Sequence, residues 1–151
     1  MFERILVPLD GSELAEKALP SAGVLAQKFQ AELILVQVLQ LIPEFVGGLH
    51  GAMVFHQQIV QDRQAADAYL RSLGRQVYEL GAWPIRTVTL EAHSVADAIT
   101  KLVCERSVDL IVMSTHGRSG LSRLAHGSVA GQVLHDAPCP VLLIKAQKSD
   151  C

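Results

Sequence analysis

Apolar residues fall along this chain in two alternating rhythms. Four short runs are almost continuously apolar: Ile-Leu-Val-Pro-Leu at 5–9, Leu-Ile-Leu-Val-Gln-Val-Leu at 33–39, Leu-Ile-Val-Met at 110–113 and Val-Leu-Leu-Ile at 141–144. Each is too short for a helix and too hydrophobic for a loop, so each predicts a strand buried on both faces. Residues 85–90 alternate Ile85, Thr87 and Thr89 with Arg86, Val88 and Leu90, a less apolar strand suited to a sheet edge. Between the runs the spacing changes to threes and fours. Leu14, Ala18, Ala22, Leu25, Ala26 and Phe29 form one stripe, and Ile59, Ala66, Tyr69, Leu70, Leu73, Val77 and Leu80 form another. Residues 95–106 and 129–135 predict two more helices.

Turn chemistry punctuates these elements where the rhythm changes. Asp10-Gly11-Ser12 joins the first strand to the first helix, which contains Pro20 as a predicted kink. Gly81 and Pro84 end the long second stripe, and Ser94-x-x-Asp97 resembles a capping box for the helix after it. Residues 40–57, broken by Pro43, Gly47, Gly48 and Gly51 around Phe45, Met53 and Phe55, predict a long loop, either a lid or an insertion without a role. Strand and helix thus alternate from end to end, with no internal repeat or linker. The pattern calls for one α/β domain over residues 1–151, a mainly parallel sheet of five strands with four helices on its two faces.

Composition narrows the function classes. At 151 residues the chain is long enough for a core of its own, and half of it is hydrophobic against 19% charged. A formal net charge of -2 implies no basic face for nucleic acid. No run approaches the roughly 18 apolar residues of a membrane span, and Met1 to Arg4 lack the layout of a signal peptide, so a cytoplasmic protein is expected. Cys104, Cys139 and Cys151 form no C-x-x-C pair, and the six histidines form no ligand pair, so neither a disulfide framework nor a metal site is expected. Cys104 and Cys139 are expected to be packing residues, and Cys151 an exposed thiol.

The chemistry gathers just after the fourth apolar run. Ser114, Thr115, His116, Gly117, Arg118, Ser119, Gly120, Ser122 and Arg123 bring small, hydroxyl and cationic residues together, and Gly127-Ser128 precedes the helical run that starts at Val129. Glycines let backbone N–H groups approach an anion, and a helix start offers unpaired donors, so a phosphate would fit. The plainer reading, a strand-exit turn followed by a helix cap, stands beside it.

Gly117, the nine residues 118–126, Gly127 and Ser128 resemble the signature of the universal stress protein family, with Ser114 at the position of its first glycine. Residues 5–12 and 138–144 resemble that family's opening and closing strands, so the likeness spans nearly the whole chain. It implies an open twisted parallel sheet in the order 3-2-1-4-5, Rossmann-like and adenine nucleotide alpha hydrolase-like. In that order the first and fourth strands flank the switch point, where ligands enter beyond the strands' carboxyl ends. By resemblance to the ATP-binding members, Asp10 would meet ribose hydroxyls, and the backbone around Val38 the adenine edge. The ring would lie against Pro8 and Met113, with Leu9 between Pro8 and Asp10 also among the binding residues. Gly117, Gly127 and the N–H groups of Ser128, Val129 and Ala130 would hold the phosphates, helped by Arg118 or Arg123, with the Ser114 hydroxyl as one more donor and His116 bracing the loop.

The implied ligand is ATP, with or without Mg²⁺, or a related adenine nucleotide, and the implied assembly is a homodimer through the C-terminal strand. The competing reading is a nucleotide-free member acting through protein contacts, with Ser114 as its motive. Enzymatic activity is at most slow ATP hydrolysis: the loop lacks a Walker lysine, and His116 is better placed as a brace than as a base.

Overall fold

The structure of the protein, a computed structural model, describes residues 1–42, 48–79, 81, 84–115 and 129–145, with 48–50 as backbone only. The strands are β1 (Arg4–Leu9), β2 (Glu32–Gln40), β3 (Ile85–Ala92), β4 (Leu110–Ser114) and β5 (Val141–Ile144). The helices are α1 (Glu13–Glu16), α2 (Leu19–Phe29), α3 (Gly48–Glu79), α4 (Val95–Glu105) and α5 (Val129–Asp136). All strand pairs are parallel, in the order β3-β2-β1-β4-β5.

Side-chain alternation divides the core between the two faces of the sheet. Ile5, Val7 and Leu9 of β1, Leu33 and Leu35 of β2, and Leu110 and Val112 of β4 pack with Ala15, Ala22, Leu70 and Val77 of α1, α2 and α3. Leu6, Ile34, Val36, Ile111 and Met113 point the other way, against Ile99 and Leu102 of α4 and Val133 of α5. Burying both faces of the central strands requires side chains apolar at every position, which is why their sequences run hydrophobic without a break. At the edges the demand falls. β3 is an edge strand, as its less apolar sequence predicts, and leaves Arg86, Thr87 and Glu91 exposed, and Leu142 of β5 is 38% exposed.

Two helix expectations are corrected. The first helix is two helices, because Pro20 stands in the first turn of α2 and is not a kink within a continuous rod. A proline there sacrifices an N–H that has no intrahelical partner in any case, so a helix start accommodates it. The expected loop at 40–57 is helical from Gly48 onward, making α3 32 residues long. Residues 52–58 are exposed on every side, so no buried stripe marked them as helix, and Met53 stands 64% exposed. Residues 43–47, with Phe45, and Leu80 lie outside the described residues. Ser94 caps α4 as expected, its Oγ accepting the Asp97 N–H at 3.3 Å.

Candidate functional site

β1 and β4 lie side by side, Ile5 opposite Leu110 and Leu6 opposite Ile111. Their chain neighbours leave toward opposite faces, α1 and α2 beneath one and α4 and α5 beneath the other. A crevice must open between the carboxyl ends of two such strands. Continuing the register, Leu9 comes level with Ser114 and Asp10 with Thr115. The two motifs that the sequence singles out, about a hundred residues apart, therefore meet at one end of the sheet.

Asp10 is held by its own turn. Its Oδ1 accepts from the Ser12 backbone N–H at 3.0 Å and from the Ser12 hydroxyl at 2.6 Å. The Ser12 Oγ in turn accepts the Ala15 N–H at 3.2 Å and so caps α1. Gly11 between them has φ 82°, a left-handed conformation that a side chain would strain. A half-buried carboxylate is thus oriented by a hydroxyl that is itself fixed by a helix start. As an acceptor-only group it suits a ligand that offers hydroxyl donors.

On the other side of the crevice, alternation sorts the apolar candidates. Met113 is buried with Val36 and Leu6 on the α4 and α5 face, and Val38, Leu143 and Ala130 pack against that same cluster. Pro8, two residues after Leu6 and opposite Val36, belongs to that face as well. Pro8, Val38 and Met113 therefore lie on the same side of the sheet as the first turn of α5, where Val129 and Ala130 begin the helix. Leu9 and Ser114 point to the opposite face, where Leu9 is core and Ser114 is 7% exposed. β4 remains in register past Ser114, the Thr115 N–H donating to the Ile144 carbonyl at 3.0 Å. His116, Gly117, Arg118, Arg123, Gly127 and Ser128 lie outside the described residues, as does Cys151.

The sequence profile of the universal stress protein family matches residues 1–145. A universal stress protein of Methanocaldococcus jannaschii is 32% identical over 151 residues, covering 99% of this chain and 86% of that protein. The chain belongs to the universal stress protein family. Among solved structures, the universal stress protein UspA from Lactobacillus plantarum superposes with TM-score 0.82 at 26% identity, over 95% of this chain and 97% of its own. A universal stress protein in complex with cAMP superposes with TM-score 0.73 at 23% identity, over 97% and 98% of the two chains. That likeness is one of fold, and the bound nucleotide belongs to the other protein. The strand order implied for a universal stress protein is the one observed.

Sequence reasoning missed the polar features on the α3 face of this universal stress protein. The Gln37 Oε1 is buried without a hydrogen-bond partner among the described residues, beside Leu9 on one side and Thr89 on the other. Thr89 donates its hydroxyl to Asp67 of α3 at 2.5 Å, and Arg63 pairs with Glu91 at 2.7 Å. One amide in an otherwise apolar strand was the available signal for Gln37. Farther along that face, Leu39 and Leu41 meet Phe55 and Ile59 of α3 around an open groove of about 70 Å³. It is well below the size of an ordinary ligand pocket.

Proposed function

We propose that this universal stress protein binds an adenine nucleotide, ATP in the first instance, in the crevice between the ends of β1 and β4. The observation that carries this reading is the sharing of one face by Pro8, Val38, Met113 and the start of α5, next to Asp10 at the switch point. Pro8 and Met113 offer an apolar slot for a flat ring, and the backbone of Val38 offers a donor and an acceptor for its edge. Asp10 takes the ribose hydroxyls. The first N–H groups of α5, at Val129 and Ala130, face the phosphates together with Ser128 and the loop glycines Gly117 and Gly127. Leu9 and Ser114 take part through their backbones at the strand ends, while Arg118 assists at the phosphates and His116 acts as a brace. A Mg²⁺ ion would be held chiefly by the phosphate oxygens, as this ion commonly is.

In this reading the protein is a single-domain cytoplasmic regulator of the stress response, a binder and not a catalyst. It works as a homodimer through β5. That strand is a sheet edge with β4 as its neighbour, and Pro140 and Ile144 turn their carbonyls inward to Ile111 and Thr115. The backbone groups of Val141 and Leu143 alternate outward, available to a second copy. The opposite edge, β3, carries Arg86 and Glu91, charges that discourage pairing, whereas β5 carries none.

Calorimetry with ATP on nucleotide-stripped protein tests the reading. Saturable binding is expected, and none at about millimolar ligand would reject it. Asp10→Asn keeps the shape but loses the charge, and about tenfold weaker ATP binding is expected. The alternative, a nucleotide-free member acting through protein contacts, draws on the use of Asp10 Oδ1 as a brace for the Ser12 turn. Adenine absorbance in the purified protein, or a rise in melting temperature with ATP, excludes that alternative.

A further inference from the structure

Tyr69 belongs to the apolar stripe of α3, yet its hydroxyl reaches a partner outside that helix. The ring packs against the core cluster, on the half of α3 that the buried residues Ala66, Leu70 and Leu73 anchor to the sheet. From that fixed base the Tyr69 Oη donates to Glu16 Oε1 of α1 at 2.9 Å, in a half-buried setting. A hydrogen bond to a carboxylate is stronger than one between neutral groups, and partial burial shields it from water. Phenylalanine would fill the stripe equally well, so the hydroxyl adds something that core packing does not require.

What the bond holds is the seat of Asp10. α1 is a single turn of four residues, too short to be stable alone, so its position depends on its neighbours. It packs on β1 and β4 and buries Ala15 in the core cluster. The Tyr69 bond ties its last residue, Glu16, to the α3 layer as well. From there the hydrogen bonds lead back to the turn. The Glu16 N–H donates to the Ser12 carbonyl at 3.3 Å, the Ala15 N–H to Ser12 Oγ at 3.2 Å, and the Ser12 hydroxyl to Asp10 Oδ1 at 2.6 Å. An unbroken series of contacts therefore runs from α3 through Glu16 and Ser12 to the carboxylate at the crevice. We propose that Tyr69 is a positioning residue, which fixes α1 through Glu16 and so sets the Asp10 carboxylate for ribose hydroxyls. The proposal rests on the nucleotide reading above for its ligand, and on the bond between Tyr69 and Glu16 for its mechanism.

The test compares the wild type with Tyr69→Phe, Glu16→Ala and the double variant, measuring calorimetric Kd for ATP, for 2′,3′-dideoxy-ATP and for inorganic triphosphate. Tyr69→Phe removes the hydroxyl and keeps the ring, so the preference for ATP over the dideoxy analogue should fall about fivefold, with triphosphate affinity unchanged. Glu16→Ala should cause a similar loss, and the double variant no more than either single one, because all three lack the same bond. Glu16→Gln, which keeps an acceptor oxygen, should retain part of the preference that Glu16→Ala loses. An unchanged preference in Tyr69→Phe overturns the proposal. So do additive losses in the double variant, or an equal loss for all three ligands, which would mark general loosening. Amide exchange at Ala15 and Glu16 reads the same coupling without nucleotide. Tyr69→Phe should speed it relative to amides in β1, and unchanged exchange overturns the proposal. If the wild type binds no nucleotide, the functional reading fails, and the exchange measurement still decides whether Tyr69 holds α1. Should Tyr69→Phe not fold, Glu16→Ala carries both measurements, and a ribose preference and amide exchange equal to wild type overturn the proposal.

Discussion

Gln37 shows how much a single buried atom can say. Its Oε1 has lost water and gained no partner among the described residues, a situation that costs about 1–3 kcal/mol. Gln37→Leu, of similar size and without the stranded acceptor, is expected to raise unfolding free energy by about 1 kcal/mol, measured in urea. A loss of stability would mean that the amide has a use, through a partner or a ligand. His135 gives a pH prediction. Its hydrogen bond to Asp136, at 2.7 Å, and then the attraction of that charge raise its pKa above 6.5. A folded pKa above the unfolded one gives a contribution that is complete below pH 6.5 and disappears as pH rises through the folded value. Because the ring is fully exposed, the contribution is small and best read by proton NMR. The His135 midpoint should lie above 6.5 and return toward it in Asp136→Asn. Cys104, expected among the packing residues, is exposed at the end of α4, whereas Cys139 packs against the α4 and α5 cluster as expected. Burial pushes the Cys139 thiol pKa up, assisted by the charge of Asp109.

The helices obey different constraints along their lengths. α3 is anchored by Ala66, Leu70, Leu73 and Val77, while residues 52–58 project beyond that contact and owe their helicity to continuation from an anchored rod. Within the anchored half lies Gly74. A Cβ there would meet the Ile85 and Thr87 methyl groups at 3.5 and 3.7 Å, ordinary contact distances. Glycine inside a helix costs about 0.5–1 kcal/mol relative to alanine, so Gly74→Ala is expected to stabilise by that amount and raise Tm by about 1–4 °C. Gly81 gives the opposite sign. At φ +90° and with Gln27 Nε2 2.8 Å from its Cβ position, Gly81→Ala should lower Tm, and calorimetric scans of both variants check the pair.

For the whole molecule, the two sheet edges have different fates. Arg86 and Glu91 blunt β3, and Arg86 is further engaged with Glu32 at 2.8 Å. β5 carries only apolar side chains, with outward backbone groups at Val141 and Leu143. Sedimentation should find a dimer for the wild type, and Leu142→Lys, which adds charge to that edge at a partly exposed position, should give a folded monomer. A wild-type monomer at micromolar concentration, on the order of common dimer affinities, would remove β5 as the assembly surface.

Strands and helix types were legible wherever burial imposes a period. Residues 33–36, 70, 73, 77 and 110–113 could be assigned because each side chain answers to one neighbouring surface, and that surface repeats along the chain. The extension of α3 was illegible for the same reason, since residues 52–58 are exposed and carry no buried stripe. Turn chemistry and strand composition marked Asp10 and Met113 as strand-end residues, while the resemblance supplied both their place among the site residues and the sheet order that makes them neighbours. Which face each side chain takes is another matter. Met113 and Ser114 are consecutive and both buried, yet alternation sends one toward α4 and α5 and the other to the opposite face, shared with Leu110 and Val112. Local sequence carries the period of an element, but its phase against the rest of the molecule is set by packing between residues far apart in the chain.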